Sequence, residues 1–250
     1  MRWVQEYARG VAVAPPAAAG AATGSGTTFE FRPDADIFET VECSFAVLEE
    51  HFRELAFLNR GLDISLTDER PHHEARSARF RFPGGTRDFV GFLEAGAGTP
   101  VHPDVIGFER EDPRMPGAME VALRWGDSRE ERVRSFANSR ATREGGTHEV
   151  GFRDGVTAAV NAYARGRRLL TATDPDISAD RISEGLTAVV SVKLDRPEYA
   201  GSTRGRLDNT AVRACVEEAV REHLGTWLEE HPEHAAAVVG RIVRGTTGTD

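Results

Sequence analysis

The segment from Thr187 to Leu194 constrains the fold more than any other. Thr187, Val189, Val190 and Val192 are β-branched, no turn residue interrupts them, and Pro197 follows closely. The run is too short for a helix of its own and suits a pleated, packed surface, so it predicts a central strand. A central strand needs neighbours in a sheet and helices to cover it.

Helical periods on both sides can provide that cover. From Glu149 onward, Phe152, Val156, Ala159, Val160 and Tyr163 fall on one face. Asn209 is expected to cap a long amphipathic helix carrying Val212, Val216, Ala219, Val220, Leu224 and Leu228, and Pro232 to begin another turn leading to Val238, Val239 and Ile242. Upstream, Ser44 is a predicted N-cap for a helix bearing Phe45, Leu48, Phe52 and Leu55 that closes at Gly61, after which Leu62, Ile64 and Leu66 alternate as a strand. The stretch 79–136 reads as strands broken by Gly84-Gly85, Pro113 and Pro116, with a short helix over 86–94. Ser178 is expected to cap a short helix stopping at Gly185. Near the N-terminus, residues 10–26 are Ala-, Gly- and Pro-rich and read as a loop or linker, and Thr27–Phe31 alternates like a half-buried strand ended by Pro33-Asp34. The sum is an α+β fold without internal repeats.

A formal charge of -9 excludes indiscriminate attraction to nucleic acid, so any DNA contact must be a local patch. Cys43 and Cys215 are distant and form no C-x-x-C pair, which suggests neither a disulfide framework nor a zinc cluster and points to a cytoplasmic protein. The chain has no apolar run long enough for a signal peptide or membrane span.

Several motifs imitate chemistry without completing it. Gly24-Ser25-Gly26 lacks the third glycine of a dinucleotide loop, because Phe29 stands in its place, and reads as a flexible turn. Asp127-Ser128 and Asp174-Pro175-Asp176 resemble magnesium carboxylates but lack an acidic partner at a strand end. His231 and His234 are spaced three apart and His72-His73 are adjacent, yet no H-E-x-x-H occurs and solvated histidines are expected. No G-x-S-x-G elbow supports nucleophilic catalysis. No metal ligand and no catalytic residue is therefore assigned.

Two loops carry more information. Gly145-Gly146 frees the backbone to turn sharply before a helix, which by itself is only a turn and a cap. The loop Gly201-Ser202-Thr203-Arg204-Gly205-Arg206 is basic and hydroxyl-bearing between the core strand and a long helix. It could hold a phosphate by charge-assisted hydrogen bonds or simply be solvated.

Read together, Gly26–Asp34 with Ile37-Phe38-Glu39, then Ala56–Leu62, Leu66–Arg70, Ser135–Asn138, Glu144–Arg153, Asn161–Arg165 and Glu184–Lys193 resemble the DNA gyrase B subunit and its topoisomerase IV relatives, from Trp3 to about Val243. The resemblance implies a C-terminal remnant of a GHKL-type ATPase domain over 1–50, a transducer domain over 51–230 with a fold shared by a ribosomal-protein domain and GHMP kinases, and the start of a linker toward a TOPRIM domain over 231–250. It implies a part of an ATP-dependent type II topoisomerase, with ATP and Mg²⁺ in the parent enzyme and DNA, the gyrase A subunit and the other gyrase B domains as partners. The ATPase and TOPRIM motifs of that family are expected to lie outside this chain, leaving it inactive alone. A different reading is a non-catalytic protein that binds or regulates intact gyrase. A small-molecule kinase would need a Gly- and Ser-rich phosphate loop at a helix start, which is missing.

The same resemblance assigns Ser202, Thr203 and Arg204 to a loop that the family writes Gln-Thr-Lys and uses to sense the ATP γ-phosphate. Arg204 keeps the charge as a planar fork, while Ser202 is shorter than a glutamine. Arg153 stands where the family has an arginine lining the cavity for the transported duplex, the alternative being a helix-surface arginine.

Overall fold

The structure is a computed structural model that describes residues 1–71 and 75–244, Arg244 by its backbone alone. His72, His73 and the glycine-rich tail after Arg244 lie outside the described residues. The chain divides into two compact units, Met1–Leu48 and Glu49–Asp250.

In the first unit, β1 (Trp3–Val4) pairs antiparallel with β4 (Ala17–Ala18), and β2 (Tyr7–Ala8) pairs with β3 (Val11–Ala12). Arg9 and Gly10, both at positive φ, make the two-residue turn between β2 and β3. Residues 10–26, expected as a loop, thus contain two short strands. The expected strand at Thr27–Phe31 is not formed: those residues pair with no strand among the described residues, and Phe29 and Phe31 are 88% and 80% exposed. Alternation specifies which side chains would share a face, but a strand exists only where a partner edge supplies hydrogen bonds.

The second unit is built on a five-stranded sheet. Helix α1 (Phe45–Leu58), with Ser44 Oγ accepting from Val47 N–H at 3.5 Å, leads to the hairpin of β5 (Ile64–Asp68) and β6 (Arg76–Phe80). After α2 (Thr86–Glu94) come β7 (Ile106–Asp112), β8 (Gly117–Trp125), β9 (Arg132–Ala137) and β10 (Arg140–Ala141). Helices α3 (Thr147–Gly166) and α4 (Ala179–Ser183) precede β11 (Leu186–Leu194), and the small hairpin of β12 (Tyr199–Ala200) and β13 (Arg206–Leu207) precedes α5 (Thr210–Glu230) and α6 (Pro232–Arg244). The sheet order is β10-β9-β11-β8-β7, with β11 antiparallel to β8 and parallel to β9.

The segment expected to be a central strand is the middle strand of this sheet. Ala188, Val190, Val192 and Leu194 face a core shared with Val121, Leu123 and Trp125 of β8 and with α3, α5 and α6. Val189 faces a second core with Ala122, Phe136, Phe57 and Phe89. Burial on both sides explains why β11 is apolar without alternation. The parallel β9–β11 pair requires a crossover, and α3 with α4 forms it.

Close packing of α3 on α5 depends on two glycines one turn apart. A Cβ at Gly155 would lie 2.7 Å from the Glu217 carbonyl oxygen and 2.8 Å from Val220 Cβ, and one at Gly151 would collide with the Arg213 carbonyl. Backbone therefore touches backbone at this crossing. Asn138 and Ser139, both at positive φ, form the two-residue turn from β9 to β10. The Asn138 amide also donates to the Leu194 carbonyl at 2.9 Å and accepts from the Leu194 N–H at 2.7 Å, prolonging the ladder of β11 by one side chain.

With Ser44 at α1, three helix starts went as expected and one did not. Ser178 Oγ accepts from Arg181 N–H at 3.4 Å, and Pro232 opens α6. Asn209 occupies the N-cap position of α5 but makes no capping bond. Its side chain instead accepts from Glu198 N–H at 2.8 Å and donates to the Arg196 carbonyl at 3.1 Å. The amide is committed to closing the preceding hairpin, so it is unavailable to the helix. Among the described residues, no helix is long and apolar enough to cross a membrane.

Candidate functional site

The loop Gly201–Gly205 connects β12 to β13. Gly201 (φ 75°) turns the chain, and Arg204 is held at φ 56°, a left-handed conformation that a non-glycine residue adopts at a cost of about 1–2 kcal/mol. Ser202, Thr203 and Arg204 are exposed, and their side chains have no partner among the described residues. The loop's base is firm by contrast: Leu207 is fully buried, Tyr199 Oη donates to the Ala137 carbonyl at 3.3 Å, and Asn209 ties the two sides together.

The Gly145-Gly146 turn meets this base. Glu144 N–H donates to the Gly205 carbonyl at 3.0 Å, and Leu207 N–H donates to the Gly145 carbonyl at 3.2 Å. Gly145 and Gly146 have φ of 69° and 140°, and a Cβ at Gly146 would lie 2.6 Å from Leu207 N. These glycines therefore do more than turn the chain before α3. They let its start approach the phosphate-loop candidate at backbone distance, which no larger residue permits.

Behind the junction lies a buried polar chain. Glu149 is an acceptor only, so the Ser135 hydroxyl donates to it at 2.8 Å. Ser135 then accepts from Thr142 Oγ1 at 2.9 Å, and Thr142 Oγ1 accepts from His148 Nε2–H at 3.1 Å. His148 is fully buried with Nδ1 unpartnered, and burial alone pushes its pKa down to about 4. The imidazole is thus neutral at physiological pH. The separation of these residues in sequence concealed the chain, although Thr142, His148 and Glu149 all flank the Gly-Gly turn.

Arg153 sits one turn after Glu149 on α3. It pairs with the Glu131 carboxylate and, at 3.3 Å, with Glu149 Oε1. Burial opposes its charge, yet these two carboxylates raise its pKa above the ordinary arginine value. In this arrangement its charge is compensated locally, whereas that of Arg204 is not. Arg153 and the Ser202–Arg204 loop are linked through the first turn of α3 and the Gly-Gly junction.

The carboxylates that resemble magnesium ligands serve structure. Asp127 Oδ1 accepts from Thr99 N–H at 2.8 Å, Asp174 Oδ2 from Thr171 N–H at 2.6 Å, and Asp176 pairs with Arg165 at 2.6 Å. His231 and His234 stack with Trp227 and with each other, the two imidazole centroids 6.1 Å apart, instead of converging on one point. Among the described residues, no group of three or more His, Cys, Asp or Glu side chains is placed to hold a metal ion.

One cleft went unnoticed in the sequence. Asn59, Glu111, Asn138, Ser139, Lys193 and Asp195 are among the residues that line an open cavity of about 620 Å³ at the end of β11. Lys193 is the one lysine among 31 basic residues, a compositional signal that could have singled it out. Its Nζ donates to Asn59 Oδ1 at 3.3 Å.

The family model described as DNA gyrase B matches residues 85–247. The DNA gyrase B subunit of Streptomyces coelicolor is 44% identical over 97% of the chain, and that of Haloferax lucentense 42% identical over 88%. The chain spans 38% and 34% of those two proteins, respectively. Among solved structures, the 43K ATPase domain of Thermus thermophilus gyrase B in complex with an aminocoumarin has a TM-score of 0.80 at 29% identity, covering 97% of this chain and 64% of that one. The B-subunit of the Myxococcus xanthus gyrase has a TM-score of 0.78 at 25% identity, covering 96% and 67%. With a matched model over more than half its length and relatives well above 30% identity, the chain belongs to the DNA gyrase B family.

Proposed function

We propose that this chain is the transducer part of a type II topoisomerase, coupling the nucleotide state of an ATPase domain to passage of one DNA duplex through another. In this reading residues 1–50 belong to the end of the GHKL ATPase domain, 51–230 form the transducer, and 231–250 begin the linker toward the TOPRIM domain. ATP and Mg²⁺ act in the whole enzyme, which works with the gyrase A subunit on DNA. The Asp side chains described above are engaged in structural bonds, so no metal-dependent step is placed on them.

The observation that carries the reading is the uncompensated Arg204, held in a strained conformation on a loop whose base is anchored to both α3 and α5. A charge-assisted hydrogen bond from it to a terminal phosphate contributes about 1.5–3 kcal/mol. Made in only one nucleotide state, that bond biases two domain orientations by roughly 10- to 150-fold. Ser202 and Thr203 add hydroxyls beside it. In this reading Arg153, on the helix that follows the junction, meets DNA phosphate by exchanging its carboxylate partners for it.

The test is ATP hydrolysis by a separately prepared gyrase B GHKL domain, measured with and without this chain. Stimulation by the chain, lost in Arg204→Gln, is the expected result. No stimulation at all would sink the coupling role. The exposed Phe29, Phe31, Ile37 and Phe38 favour a second reading, docking onto intact gyrase B as a regulatory partner. Inhibition of intact gyrase by the added chain would select it.

A further inference from the structure

The lining of the cleft at the end of β11 includes neither the Ser202–Arg204 loop nor Arg153. Lys193 of β11 and Glu111 of β7 both register with Ala118 of the intervening strand β8, so they stand on the same face of the sheet with one methyl group between them. Strands lie about 4.8 Å apart, which sets the two Cα atoms about 9.5 Å from each other across the Ala118 floor. Lys193 and Glu111 are exposed, and neither forms an ion pair among the described residues. Asp195 lines the same cleft and is also outside any ion pair among the described residues. The next row on that face is different. Glu120, in register with Ser191 and Glu109, is held by Arg60 at 2.6 Å and by the Thr86 hydroxyl at 2.8 Å, so its charge is already met.

One amide orients the cationic side of the cleft. Asn59, just past the end of α1, donates through Nδ2 to the Leu55 carbonyl at 2.9 Å and to Ser139 Oγ at 3.2 Å, and its Oδ1 accepts from Lys193 Nζ at 3.3 Å. Because Ser139 Oγ accepts here, its own O–H is left to donate, as are two of the three N–H groups of Lys193. These donors suit a carboxylate, while Glu111 and Asp195, ionised and therefore acceptors only, suit an ammonium. We propose that the cleft binds a small zwitterion of the amino-acid type, its carboxylate on Lys193 and Ser139, its ammonium on Glu111 and Asp195, and its carbon stem over Ala118. A simple anion would meet the two carboxylates, and a simple cation would meet the Lys193 ammonium. A molecule carrying both charges finds each of them compensated. A cavity of about 620 Å³ is also within the ordinary range of small-molecule sites.

The test is titration of the whole, isotopically labelled chain, followed by amide NMR, with the series glycine, β-alanine, γ-aminobutyrate, δ-aminovalerate and ε-aminocaproate. Hexanoate and hexylamine serve as the single-charge controls. The amides of Ser139, Lys193 and Asp195 should shift, with affinity rising along the series as the stem grows long enough to span the Ala118 floor, and the controls should bind more weakly. Lys193→Met and Glu111→Gln should each weaken zwitterion binding about tenfold, and Lys193→Arg should recover part of the loss. Both substitutions replace exposed side chains, and thermal unfolding checks that the variants fold; should one fail to fold, the other carries the test. Equal binding of hexanoate or hexylamine, zwitterion affinity unchanged in a folded Lys193→Met or Glu111→Gln variant, or no shift of these amides with any member of the series overturns the proposal.

Discussion

Acidification should unfold this chain through two histidines. His102 and His148 are both almost fully buried, at 2% and 0% exposure. Burial is the main cause that lowers each pKa from 6.5 to about 4. At His102 a backbone bond to Asp104 opposes the shift, while Arg124 and His234 reinforce it. Because both folded-state values lie below the unfolded one, the stabilising contribution is complete above 6.5. It is lost progressively as pH falls toward 4, where the unfolded chain binds protons that the native chain excludes. Between about pH 7.5 and about pH 5, one such group costs about 2 kcal/mol and two cost about 4. Asp63, Asp112 and Asp174 do not obscure this window. Their pKa values are lowered from 3.8, so their stabilising contributions are lost at still lower pH. Urea unfolding followed by fluorescence of Trp125, fully buried in the main core, measures the effect. The parent midpoint should fall steeply between the two pH values, and His148→Gln should have about half the pH dependence despite a lower neutral-pH stability. A parent midpoint independent of pH in this range, or a variant as pH-sensitive as the parent, would refute the argument.

Two further substitutions probe the scaffold of the candidate site. Gly151→Ala drives a methyl group into the Arg213 carbonyl and should destabilise the α3–α5 pair by about 1–3 kcal/mol in urea unfolding, whereas Gly166→Ala, with open space around it, should be neutral or slightly stabilising. Asn138→Ala removes both bonds to Leu194 and leaves an alanine at φ 50°, so a loss of about 2–3 kcal/mol is expected, with faster hydrogen exchange at the Leu194 amide.

Local pattern was enough to find most elements of the second unit. The helical periods after Glu149 and Asn209, the β-branched run at Thr187–Leu194 and the punctuation at Gly61 and Gly185 all reflect constraints that act within one turn or one strand. Where a reading depended on a distant partner, it was exposed to error. Thr27–Phe31 alternates correctly but meets no strand edge, and Asn209 has the right chemistry for an N-cap but spends its amide on Arg196 and Glu198. The Ser202–Arg204 loop and the Gly145-Gly146 turn were each visible as loops, but nothing in their spacing showed that they join.

By itself, then, the sequence determined the α+β class, the middle strand, the helices that cover it and the family to which they belong. Only the tertiary structure decided the electrostatic condition of the candidate site. Charge compensation and burial depend on which segments the sheet and the α3–α5 crossing bring together. That is why Arg153 is held between Glu131 and Glu149, His148 is buried as a neutral imidazole, and the side chain of Arg204 has no carboxylate partner among the described residues.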